Sequence, residues 1–169
     1  GIDLLLAAFA ALRAPDWHLM VVGEGREREK LEQYSRTLGV QTRTTFVGIV
    51  DNLMPYYKAA DIFALPSRHE GTPNALLEAM SVGLPAVVSD ASSGPRDLVE
   101  GPNTGFVVKT GDINSLTQAL QQLIDDPQLR HGLGERAAAF MNRERRNDKA
   151  YKLWDTAITF SNCEVSGHT

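Results

Sequence analysis

The stretch "DIFALPSRHEGTPNALLEAMSVGLPAVVSD", residues 61–90, decides how this chain is read. It begins with a short apolar run closed by Pro66, which reads as a buried strand. A polar loop follows, then a run of helix-forming residues that stops at Gly83, and then "PAVVS", a second strand rich in β-branched residues. Strand, loop, helix and strand in that order form the crossover unit that joins parallel neighbours in a sheet. Thr72 precedes a proline and is pushed out of helical geometry, which makes it the expected N-cap, with Pro73 at the first helical position. Between Gly71 and Ser89 the only charged residue is Glu78, set among Leu76, Leu77, Ala79 and Met80. A carboxylate in so apolar a helix needs a partner, either within the protein or in a ligand.

Outward from this unit the alternation continues. Leu5, Ala8, Phe9 and Leu12 recur at helical spacing, and "HLMVVGEG" is a strand ending in a glycine loop. Arg26 to Leu38 is a charged helix stopped by Gly39, "TTFVG" a strand, and "NLMPYYKAA" a short helical element. Beyond residue 90 come a small helix around Pro95 to Val99, the strand "GFVV", and helices from Ile113 to Ile124 and from Gln128 to about Phe140. The pattern predicts an α/β fold, a doubly wound parallel sheet with helices on both faces. The tail "SNCEVSGHT", residues 161–169, is polar and expected to be disordered.

The 169 residues carry a formal charge of -4, which argues against a nucleic-acid scaffold. The longest apolar run, Leu4 to Leu12, falls well short of a membrane span of about 18 residues and lacks the features of a signal peptide. Cys163 is the single cysteine, so no internal disulfide forms and a cytoplasmic location is expected. The basic concentration from Arg136 to Lys152, with Arg143, Arg145, Arg146 and Lys149, reads first as a solvated helical face and second as a surface for anionic lipid headgroups.

In a doubly wound sheet ligands bind outside the carboxyl ends of the strands. The loops there are "GEGRE", "GIVDN" and "SRHEGTPN". Glu70 lies in the third loop, and Glu78 shares a helix face with Asn74 and Ser81 while Leu76, Met80 and Gly83 pack inward. The helix start leaves the N–H groups of Asn74 and Ala75 free to meet phosphate oxygens. A phosphate there, with a polyol beside two carboxylates, suggests a nucleotide or sugar phosphate as ligand. Glycine loops after strands are common as plain turns, Glu70 alone would be an ordinary solvated acid, and His69 is at most a secondary candidate as proton carrier. His18, His131 and His168 read as surface or strand-end residues.

Glu70 and Glu78, seven residues apart in "EGTPNALLEAMSVGLPAVVSD", closely resemble the Glu-x7-Glu signature of the family-four retaining glycosyltransferases. "GIDLLLAAF", "MVVGEGREREKLE", "TTFVGIV", "YYKAADIFALPS", "SSGPRDLV" and "NTGFVVKTGD" follow that family's pattern in order, to about residue 140. The resemblance implies the C-terminal, nucleotide-sugar-binding half of a GT-B fold, made of two Rossmann-like domains. Residues 1–160 would be this donor-binding domain, a fragment with its first strand and the acceptor-binding domain upstream of Gly1.

It further implies a catalytic pair in which Glu70 contacts hydroxyls of the donor sugar and Glu78 the ribose. Gly71, Thr72, Asn74 and Ala75 would hold the diphosphate, Gly23 and Gly25 would line the nucleotide site, and the backbone near Val50 would meet the base. The donor would be a nucleotide-diphosphate sugar, with uridine expected from its frequency in the family. The acceptor would be a sugar or a lipid-linked sugar. No cofactor and no metal are expected, because there is no Asp-x-Asp motif and the family neutralises the leaving diphosphate with cations and a helix end. The family's Arg and Lys for that task would lie before Gly1. Two other readings stand beside this one: a GT-B nucleotide-sugar epimerase, and a nucleotide-binding module without catalysis.

Overall fold

The computed structural model describes residues 1–71 and 73–147, with side chains to residue 143. The expected N-cap Thr72, the side chains of Arg145 and Arg146, and Lys149, Lys152, Cys163, His168 and the polar tail lie outside what is described.

The elements alternate from end to end. Helix α1 (Ile2–Ala11) leads to β1 (Leu19–Val22), α2 (Arg28–Thr37), a 3-10 turn at Gln41–Arg43 and β2 (Thr44–Gly48). Then come α3 (Met54–Ala59), β3 (Phe63–Leu65), α4 (Asn74–Ser81), β4 (Ala86–Ser89), α5 (Ser93–Glu100), β5 (Gly105–Val108), α6 (Ile113–Asp125) and α7 (Pro127–Asn147). Every strand pairing is parallel: β1 with β2, β3 with β4, and β4 with β5. Each element anticipated from the sequence is present. Helix α7 runs past Phe140 to Asn147, since "MNRERRN" contains neither glycine nor proline to stop it.

The hydrogen-bonded sheet is not continuous. It consists of a two-stranded piece, β1-β2, and a three-stranded piece, β3-β4-β5. All four residues of β4 are buried, as expected of a strand with neighbours on both sides, whereas no residue of β1 or β3 is fully buried and Met20, within β1, is 40% exposed. A cavity of about 610 Å³ lies between the two pieces, bordered by Met20 and Val22 on one side, Ile62 and Ala64 on the other, with Phe9 and Ala75 among its walls. Phe63 donates its N–H to Pro85 on the β4 side, so strand alternation turns the backbone groups of Ala64 towards this slot.

The packing follows from apolar stripes. Leu116, Ala119, Leu120 and Leu123 of α6, at helical spacing, meet Leu5, Leu6 and Phe9 of α1 in the larger core cluster. Helix α6 is capped by Asp112, whose carboxylate accepts the Ser115 N–H at 3.1 Å. On the other face Leu76 and Met80 of α4 pack with Ala86 and Val88 of β4 and with Ala137 and Met141 of α7. Gly83, at φ +83°, ends α4, and its carbonyl lies so close to Gly134 that a side chain on Gly134 would overlap it. Glycine at both positions lets α7 settle onto the end of α4.

Candidate functional site

The site is built around the start of α4. The helix begins at Asn74, one residue later than the sequence suggested, and its N-cap is Pro73. At ψ 67° Pro73 has left helical geometry, so it caps through its carbonyl, which accepts the N–H groups of Leu76 at 3.0 Å and Leu77 at 3.1 Å. That geometry leaves Asn74 and Ala75 as the amides ahead of the helical ladder, pointing out of the helix end. The polarity of α4 adds to their attraction for anions. Leu76, Ala79 and Met80 are buried, as the inward face requires, while Glu78 is half-buried on the other side.

Glu78 has a protein partner as well as room for a ligand. The Tyr57 hydroxyl of α3 donates to Glu78 Oε2 at 3.1 Å. Burial, then the charge and hydrogen bonding of Glu78, push the Tyr57 phenol far above its ordinary pKa, so the hydroxyl remains a donor. Ser81 Oγ donates to the Glu78 carbonyl at 2.7 Å and leaves the carboxylate untouched.

Glu70 is held by its own loop. Ser67 Oγ donates to Glu70 Oε2 at 3.0 Å, and the Ser67 carbonyl accepts Ser89 Oγ at 2.5 Å, tying the loop to the end of β4. From the other side the Arg68 guanidinium donates to both carboxylate oxygens of Asp3 at 2.8 and 2.6 Å, which fastens the loop to the first turn of α1. The hydrogen bonds from Arg68 hold the Asp3 carboxyl at about 2, below its usual range. Gly94, in the first turn of α5, would carry a Cβ within 3.4 Å of the Gly71 carbonyl, so α5 closes the loop's far side. Asp90, after β4, accepts from the Thr110 N–H and hydroxyl, both at 2.7 Å, and ties the loops after β4 and β5 together.

Gly23, Gly25 and Val50 sit on the carboxyl-end loops of the other sheet piece. The Gly23 N–H donates to the Gly48 carbonyl at 2.9 Å, joining the loops after β1 and β2, and both glycines have positive φ, +124° and +87°. Arg28 braces the same junction, donating to the Phe46 carbonyl at 2.8 Å and to Glu32 at 2.9 Å, with Glu24 against its other nitrogen. Val50 is half-buried, and Ile49 beside it is 81% exposed. The two halves face one another across the slot, which both Val22 and Ala75 border.

His69 is exposed in the loop, His18 is exposed before β1, and His131 forms an i,i+4 pair with Glu135 on the surface of α7. Of the basic residues, Arg136 donates to the Asn103 carbonyl at 2.7 Å and Arg143 lies over the Phe140 ring, 5.5 Å from its centroid. Among the described residues, no three His, Cys, Asp or Glu side chains converge as a metal site would need, and no helix is long and apolar enough to cross a membrane. Residue reading missed Tyr57, Ser67 and the Asp3–Arg68 pair. Tyr57 and Ser67 lie in "YYKAADIFALPS", but a motif does not say which of its side chains touches a carboxylate.

Residues 1–140 match the family described as glycosyl transferases group 1. The chain belongs to that family. It is 31% identical over 156 residues to an uncharacterized glycosyltransferase of Haemophilus influenzae, covering 91% of this chain and 44% of the relative. It is 36% identical over 136 residues to the lipopolysaccharide core biosynthesis glycosyltransferase LpsE of Rhizobium meliloti, covering 80% of this chain and 39% of that one. Among solved structures, Anabaena HepE in complex with UDP superposes with a TM-score of 0.80 at 27% identity, over 96% of this chain and 45% of its own. WaaG, a glycosyltransferase involved in lipopolysaccharide biosynthesis, superposes with a TM-score of 0.81 at 24% identity, over 99% of this chain and 44% of its own, which speaks to the fold.

This group 1 glycosyl transferase chain thus has the Rossmann-like architecture of one half of a GT-B fold. It spans less than half the length of each of these four relatives.

Proposed function

We propose that the chain is the donor-binding domain of a retaining glycosyltransferase that takes a nucleotide-diphosphate sugar, with uridine as base, and serves the assembly of a polysaccharide, lipopolysaccharide or glycolipid. The observation that carries this reading is the junction of β3 and α4. Two carboxylates stand there, each already held by a hydroxyl donor, beside a helix end whose first amides meet no acceptor among the described residues. In this reading the diphosphate sits on Asn74 and Ala75, Glu78 accepts the ribose hydroxyls, and Glu70 accepts hydroxyls of the sugar. Gly23, Gly25 and Val50 border the nucleoside, and Gly71 and Thr72 line the turn between sugar and diphosphate.

As the glycosidic bond to the diphosphate breaks, negative charge grows on the leaving phosphate oxygen. Open amides at a helix end stabilise that charge without moving. Arg28 is engaged by Glu24 and Glu32 and Arg68 by Asp3, so neither guanidinium is assigned to the diphosphate. The relatives' greater length supports an acceptor-binding domain elsewhere in the polypeptide. The slot between β1 and β3 has the setting for one more parallel strand, with Gly1 lying against the Pro66 carbonyl at its carboxyl end. A cytoplasmic location and contact of the basic end of α7 with anionic lipid complete the proposal. No metal or cofactor is assigned a role.

Equilibrium titration of the chain with uridine, guanosine and adenosine diphosphates tests the binding reading. Preferential binding of the uridine nucleotide is expected. Equal binding of all three would remove the base assignment, and no binding of any would remove the donor site.

A further inference from the structure

Glu78 sits on a helix, and a glutamate there has several rotamers available and four acceptor positions on its two oxygens. A diol is gripped well only when the carboxylate is already turned towards it, because each side chain ordered on binding subtracts from affinity. The structure supplies a group able to do that turning. Tyr57 is 8% exposed, packs with Ala79 and Leu84, and meets the Phe63 ring edge-on with centroids 6.1 Å apart. Its hydroxyl is therefore placed by core packing before any ligand arrives. At 3.1 Å from Glu78 Oε2 it occupies one acceptor position, and among the described residues no other group donates to the Glu78 carboxylate.

We infer that Tyr57 is a positioning residue for nucleotide binding, its hydroxyl fixing the Glu78 carboxylate in the orientation that accepts the ribose diol. The inference rests on the ribose role proposed for Glu78. Burial and the Glu78 charge keep the phenol protonated, so the hydrogen bond persists wherever the carboxylate is ionised. Tyr57 touches no substrate in this arrangement and acts through Glu78 alone.

The test is a double-mutant cycle read by equilibrium titration. The chain, Tyr57→Phe, Glu78→Ala and the double variant are each titrated with UDP and with 2′,3′-dideoxyuridine diphosphate, which lacks the diol. Tyr57→Phe keeps the ring and its packing, and Tyr57→Met removes the hydroxyl with a different shape as a second check on folding. Loss of one positioning hydrogen bond to a charged group is expected to weaken UDP about tenfold in the parent chain. No further loss is expected in the Glu78→Ala background, and none for the dideoxy nucleotide.

A loss for UDP as large in the Glu78→Ala background as in the parent would overturn the inference, since Tyr57 would then act by packing. Unchanged UDP affinity on Tyr57→Phe, with a clear loss on Glu78→Ala, would overturn it and leave the ribose reading standing. Unchanged affinity on Glu78→Ala would overturn the ribose reading itself, and the role of Tyr57 with it.

Discussion

Replacing Glu78 by glutamine separates its charge from its shape. The amide keeps an oxygen that can accept the Tyr57 hydroxyl, now 3.1 Å from Oε2, and keeps the contacts on α4. What changes is the strength of the bonds to a diol. A hydrogen bond to a charged acceptor contributes about 1.5–3 kcal/mol and a neutral one about 0.5–1.5, so each of two bonds weakens by roughly 1–1.5 kcal/mol. The sum, about 2–3 kcal/mol, corresponds to roughly a 30- to 150-fold loss of UDP affinity.

Thermal stability of Glu78→Gln should stay close to that of the parent. Glu78→Ala differs on both counts. It removes the acceptor altogether and leaves the buried Tyr57 hydroxyl without its partner, which costs about 1–3 kcal/mol of folding stability. Calorimetric titration with UDP and thermal melts of the three proteins provide the assay. A glutamine variant that binds UDP as tightly as the parent would refute the charge-assisted ribose contact. A glutamine variant that melts like the alanine variant would refute the account of Tyr57 as a satisfied donor.

The remaining expectations concern other parts of the same frame. Glu70→Ala should weaken a uridine-diphosphate sugar more than uridine diphosphate, measured by competitive titration, because its contact is assigned to the sugar; equal losses would place Glu70 elsewhere. For the Asp3–Arg68 pair, the folded pKa of about 2 lies below the unfolded value of about 3.9. Its contribution is therefore full above about pH 4 and lost as pH falls towards 2, so the gap in melting temperature between the chain and Asp3→Asn should close over that interval. Gly134→Ala should destabilise by about 1–3 kcal/mol or more through overlap with the Gly83 carbonyl. Gly132→Ala, whose Cβ would meet nothing nearer than Arg136 Nη1 at 3.6 Å, should stabilise α7 by about 0.5–1 kcal/mol in the same melts.

The parallel α/β order was legible because helical and strand periodicities switch cleanly along the chain, and because Gly39, Gly83 and the "APDW" and "GEG" turns punctuate them. The start of α4 was misplaced by one residue, since a proline suits both the cap and the first helical position and its ψ decides between them. The break in the sheet was not legible. Strand composition says that β1 and β3 are strands, but which edges meet is fixed by long-range pairing that no local pattern records. Glu70 and Glu78 were visible as carboxylates of unusual setting, and the resemblance supplied their expected roles. Their partners were invisible for a simple reason. Tyr57 lies 21 positions before Glu78, and Arg68 lies 65 after Asp3, distances over which a sequence carries no geometry.

The central claim is that a nucleoside diphosphate binds at the junction of β3 and α4, and mapping the amide chemical shifts of the ¹⁵N-labelled chain during titration with UDP tests it most directly. The account expects the largest changes at Gly71, Asn74 and Ala75, with further changes at Gly23, Gly25 and Val50 across the slot and at Tyr57 and Glu78 behind it. Changes centred on the separate cavity of about 500 Å³ between α3 and α7, around Pro127, His131 and Glu135, would contradict it, as would a titration that leaves Asn74 and Ala75 unmoved.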